Sequence, residues 1–124
     1  MLKKFFIAVG IIVFLIVMSW KLLNNHTIGK FIENHPHPTI TPKLLFNIGQ
    51  IFFIVDDFKK SELYYRKVVE KYPKSEQYLK ARYMIIRSLE SGHQVKESKA
   101  EIEKFLHEHP KSEYKDILRK KLLY

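Results

Sequence analysis

From Phe5 to Trp20 the chain reads FFIAVGIIVFLIVMSW without a charge, and Leu22–Leu23 extend the apolar character past Lys21. The strictly apolar part, Phe5 to Met18, is 14 residues, a length that a signal-peptide core shares with a short membrane span. The exit, Ser19-Trp20-Lys21-Leu22-Leu23-Asn24, is bulky and charged where a signal peptidase needs small residues. Trp20 and Lys21 suit a membrane interface, and Phe5 to Leu23 spans about 28 Å as a helix. The expectation is a retained signal anchor over 1–23, with a cleaved signal peptide as its competitor. Lys3 and Lys4 lie ahead of the helix and Lys21 and Lys30 behind it. Export of the downstream part does not depend on its own charge. The expected placement is therefore a single pass through the cytoplasmic (inner) membrane, N-terminus inside and C-terminal domain extracytoplasmic.

The pattern then changes. Residues 24–40 hold asparagines, Gly29, Pro36 and Pro38 and read as a linker, in which TIGKFIENH has the composition of a short helix capped by Thr27. Thr41-Pro42 reads as a helix start, threonine capping and proline preset for the first helical position. Leu45, Ile48, Phe52 and Val55 then recur at helical spacing. Asp56-Asp57-Phe58 interrupts that helix, and KKSELYYRKVVEKY forms another, with Leu63 or Tyr64, Val68 and Val69 facing inward. Pro73 ends it, because proline cannot continue the hydrogen-bond ladder.

The four residues PKSE occur at Pro73–Glu76 and again at Pro110–Glu113, 37 residues apart. At both places the proline stops a helix, Ser75 or Ser112 is placed to cap the next one, and Glu76 or Glu113 complements its dipole. A two-helix unit that ends twice explains the repetition. The units are 42–75 and 76–112, and SEYKDILRKKLLY at the end reads as an amphipathic capping helix within a repeat domain over 41–124.

Composition narrows the chemistry. There is no cysteine, so these residues offer no disulfide, thiolate ligand or lipid-modified cysteine. His35 and His37 stand two apart, a spacing that could share a metal on an extended chain, but a site needs three or four ligands, so solvated linker histidines are expected; His107 and His109, two apart at a helix end, cannot face one point. No phosphate loop, nucleophile elbow or zinc-type histidine pair is present. The expectation is a protein that is not an enzyme and uses no cofactor or metal. The formal charge is +9, of which the first forty residues supply +3 through Lys3, Lys4, Lys21 and Lys30 against Glu33.

Leu45, Ile48-Gly49, Phe52, Ser61, Tyr65 and Pro73 follow the order of a tetratricopeptide (TPR) repeat, and the first unit resembles that family. In the second unit Ser98 takes the small position and Ile102 an aromatic one, while Ile85-Ile86 replace leucine-glycine, so α-helices there should cross less closely. The 37-residue period is the family's 34 plus three, and the tyrosine-proline-x-serine lead with Ala81 beyond it is similar to repeats of outer-membrane-assembly lipoproteins and related cell-envelope scaffolds. The resemblance implies an all-α protein: an N-terminal transmembrane helix, then a short TPR-like superhelix of two hairpins and a cap. It also implies a scaffold that grips a protein partner on its concave face, in cell-envelope assembly or organisation. The family's concave positions fall here on Lys43, Phe46, Gln50, Phe53, Lys80, Tyr83 and Arg87. Lys80 and Arg87 would favour an acidic or C-terminal segment, and the aromatics would be either anchors or core. Because two units bury a small core, self-association is a further expectation. The alternative is attraction of an anionic polymer or lipid surface to Lys115, Arg119, Lys120 and Lys121. Interleaved acids and the lack of a known motif argue against nucleic acid.

Overall fold

The computed structural model describes residues 1–24 and 27–124. Those residues form seven α-helices and no strand, so the protein is all-α. They divide into two compact units, 1–36 and 37–124.

In the first unit, α1 (Leu2–Asn24) follows from the uninterrupted apolar run. The helix is long and apolar enough to cross a membrane, and none of its span is buried in the protein. Next comes α2 (Thr27–Asn34), starting at Thr27 itself, where the sequence suggested a cap. The stretch read as a 24–40 linker thus carries a helix; its Asn25 and His26 lie outside the described residues.

The second unit is a run of antiparallel hairpins: α3 (Ile40–Ile54), α4 (Phe58–Lys71), α5 (Tyr78–Ser91), α6 (Val95–Glu108) and α7 (Lys115–Leu122). Each helix packs on the next. Leu45, Phe52, Tyr64, Tyr65 and Val68 fill the first hairpin. Ile86, Ile102, Phe105 and Leu118 fill the second and bring in α7. Of the alternative inward residues, Tyr64 is buried and Leu63 is exposed, and Val55 ends up exposed beyond the helix it seemed to belong to.

The 37-residue period holds at the level of single backbone bonds. Asp57 N donates to Phe52 O at 2.9 Å, and Gln94 N to Leu89 O at 2.8 Å. Asp56 and His93, also 37 apart, both adopt φ = 62°, a left-handed conformation that costs non-glycine residues about 1 kcal/mol and makes the tight reversal. Ser75 N reaches Tyr72 O at 3.1 Å and Ser112 N reaches His109 O at 3.2 Å, so the two PKSE segments fold alike.

Three caps differ from expectation. Ser75 turns its hydroxyl back to donate to Tyr72 O at 2.8 Å, and Ser112 accepts from Tyr114 N at 3.1 Å. Both serines serve the turn, and α5 and α7 begin three residues later. Thr41 lies inside α3 rather than ahead of it. Its work is done by His37, whose Nδ1 accepts from the N–H groups of Thr39 and Ile40 at 3.3 and 3.2 Å. Thr41 Oγ1 in turn accepts from His37 N at 2.7 Å. That is the reciprocal logic of a capping box, with His37-Pro38 in the role expected of Thr41-Pro42. Asp57 caps α4 by accepting from Lys60 N at 3.2 Å.

Candidate partner-binding face

The seven residues that the family resemblance implies as a docking surface lie on α3 and α5, each set along one side of its helix. On α3, Phe46, Gln50 and Phe53 recur at intervals of four and three, and Lys43 precedes them by one turn. On α5, Lys80, Tyr83 and Arg87 repeat that spacing. Side chains join the two rows. Lys80 Nζ stands over the Phe46 ring, 5.5 Å from its centroid, and the Arg87 guanidinium stands 5.7 Å from that of Phe53. Both pairs are 34 residues apart, about one helical turn short of the 37-residue period.

The aromatics are not equivalent. Phe46 is buried at 6 % exposure, with Tyr65 behind it at 5.3 Å. Burial pushes the Tyr65 phenol up to about 12, so it stays neutral. Phe53 is half-buried, edge-on to Phe58 at 5.3 Å. Tyr83 is half-buried and stacks on Tyr114, 4.5 Å apart and 10° from parallel. Phe46 is therefore floor, while Phe53 and Tyr83 present an edge to solvent. Gln50 is half-buried on the same face, and Lys43 is exposed. Lys43 lines a shallow pocket with Pro38, Thr39, Pro42 and the Lys74–Gln77 turn.

The electrostatics are one-sided. No acid occurs on α3, and Glu90, the acid of α5, is bonded to Lys121 at 2.8 Å. Adding 37 to Lys80, Tyr83 and Arg87 gives Ile117, Lys120 and Tyr124, all exposed, on and just beyond α7. Treating α7 as a cap hid this third row. The repeat period was the signal that could have found it, since α7 stands where a third unit's first helix would.

The side of α5 toward α4 and α6 contrasts with this face. Arg66 pairs with Glu62 at 2.9 Å and Glu101 at 3.0 Å. Arg82, buried at 6 % exposure, bonds Glu108 and the Tyr78 hydroxyl. Burial opposes the charge on Arg82, but the bonds to Glu108 and Tyr78 outweigh it and raise its pKa above the ordinary value. The same bond from Arg82 holds the Glu108 carboxyl below its ordinary value. These charges bind one another and hold helices together. Two histidines are occupied as well: His35 Nδ1 meets Phe31 O at 2.9 Å, and His109 Nε2 meets the Tyr78 hydroxyl at 3.3 Å.

Stacked antiparallel hairpins, a buried serine on the second helix of each (Ser61 and Ser98) and a proline closing each unit define a TPR-like helical-repeat scaffold. The family model of outer membrane lipoproteins, YfiO, matches residues 38–119, from the start of α3 into α7, and the chain belongs to that family. No curated protein matches it. Family membership and the apolar α1 together make this a membrane-associated protein of the cell envelope. Unlike a protein acylated at cysteine, the chain contains no cysteine among its 124 residues.

Proposed function

We propose that this protein is an adaptor anchored in the cytoplasmic membrane by α1, which holds a protein partner against the inner face of α3 and α5 outside the cytoplasm. The observation that carries the reading is Lys80 over Phe46 and Arg87 over Phe53, with Lys43 one turn ahead of Phe46 and Glu90 neutralised by Lys121. Such a surface fits an extended acidic segment: cations select charge, and the edges of Phe53 and Tyr83 supply apolar contact. Lys120 and Tyr124 would lengthen the same track.

Photo-crosslinking from position 53 in intact cells, with Leu63 on the outer side of α4 as control, tests it. A discrete protein adduct from 53 that Arg87→Glu weakens about tenfold supports the face. Adducts from 63 alone overturn it. Binding of a polyanion that collapses steeply with added salt would instead favour attraction by the basic α7.

A further inference from the structure

Two cations of α5 are held over rings of α3: Lys80 Nζ at 5.5 Å from the Phe46 centroid, and the Arg87 guanidinium at 5.7 Å from that of Phe53. From one pair to the next is seven residues on both helices, Phe46 to Phe53 and Lys80 to Arg87. At 1.5 Å per residue the two charges therefore stand about 10.5 Å apart along the helix direction. A ring beneath each cation fixes where its charge sits, which a lysine waving from a surface does not. Among the described residues neither Lys80 nor Arg87 holds an ion pair, so both charges are open to a guest.

Gln50 lies between the two pairs on α3, half-buried, and its carboxamide bonds no other described residue. A carboxamide both donates and accepts, which is what the C=O and N–H of a guest's main chain require. A guest helix with acids seven apart would match the two charges, but its backbone groups are already bonded within the helix and leave that amide unanswered. An extended guest has its backbone free. The type of extension follows from distance. In a polyproline II segment residues i and i+3 share one side and lie about 9.3 Å apart, close to the spacing of the cations. In a β-strand the residues sharing a side are i+2 and i+4, which miss that spacing by roughly 3–4 Å.

We propose that this face takes a polyproline II segment with acidic residues three apart, (Asp/Glu)-x-x-(Asp/Glu), one carboxylate on Lys80, the next on Arg87, and Gln50 bonded to the main chain between them. The proposal rests on α3 and α5 being the docking surface, and it adds a rule of spacing to the rule of charge. A segment equally acidic but differently spaced satisfies one cation and leaves the other unanswered.

The test uses end-blocked, fluorescein-labelled peptides and full-length protein in detergent micelles, read by fluorescence anisotropy. Proline–alanine peptides carry two aspartates at i and i+2, i+3 or i+4, and an alanine-rich helical peptide carries them at i and i+7. The i, i+3 peptide should bind about fivefold tighter than either neighbouring spacing. Arg87→Gln should erase that advantage and bring the peptide down to the affinity of one with a single aspartate. Gln50→Ala should weaken the i, i+3 peptide several-fold and leave helicity intact. Equal affinity at every spacing, tightest binding of the helical peptide, or indifference to Gln50→Ala overturns the spacing rule, and the docking face survives as long as Arg87→Glu still weakens binding. Binding untouched by Arg87→Glu, or no binding of any peptide, takes down the docking face and the spacing rule with it.

Discussion

At the crossing of α3 and α4 a glycine faces a tyrosine; at the equivalent crossing of α5 and α6, 37 residues on, an isoleucine faces an isoleucine. A Cβ on Gly49 would lie 2.8 Å from the Tyr65 ring, closer than atoms can sit. The first hairpin thus places the volume of its joint on α4, and the second divides it between α5 and α6. The helices of the first hairpin are the more intimately packed. A second contrast lies beside the joint. Leu45 on α3 is fully buried, and its counterpart on α5 is Arg82, bonded to Glu108. One turn-for-turn design is therefore closed by shape in one copy and by shape plus charge in the other.

The largest effect should come from imposing the first solution on the second hairpin without its tyrosine. Ile86→Gly removes a buried side chain and adds helix entropy, and should cost about 4 kcal/mol in urea unfolding. If it costs less than about 1 kcal/mol, the Ile86–Ile102 joint is not a packed one.

Next is the converse change. Gly49→Ala should destabilise the protein by about 1–3 kcal/mol through overpacking. Gly49→Ile should cost more alone than with Tyr65→Ile, because the double variant copies the second hairpin's joint. A cycle with no coupling between the two positions would break the comparison.

The smallest effect is a difference in pH response. The Glu108 carboxyl is held below its ordinary value of 4.5 by Arg82. Its contribution is complete above that value and is lost as pH falls through the lowered one. On acidification below about pH 4, amide exchange should rise at the α5–α6 joint before the α3–α4 joint. Glu108→Gln should erase that order, and simultaneous loosening of both hairpins would show that the ion pair adds nothing specific to the second.

The repeat was legible because its punctuation is chemical. Pro73 and Pro110 must stop helices, and the periodic apolar residues that follow each one can satisfy only a helix. That Phe46 and Phe53 share one side of α3, and Lys80 and Arg87 one side of α5, follows from helix register; that the two rows adjoin was implied by the family resemblance and is seen in the Lys80–Phe46 and Arg87–Phe53 contacts. What escaped was the choice among competing local bonds. Ser75 and Ser112 can cap a helix or close a turn, and the geometry after the proline favours the turn. His37 looked like a solvated linker residue because a neutral imidazole is an uncommon cap. Phe46 was divided between floor and anchor because one face of a helix carries both, and depth depends on Tyr65 from another helix.

Ser61 sits where three successive helices meet. Its hydroxyl donates to Gly49 O on α3 at 2.9 Å, and its oxygen rests 3.1 Å from that of Ser88 on α5. Since α3 and α5 carry the proposed docking face, this one small residue sets the gauge between them. On the proposed reading, a bulkier guest could not spread these two helices without tearing that joint, so fit would be decided by calibre before charge.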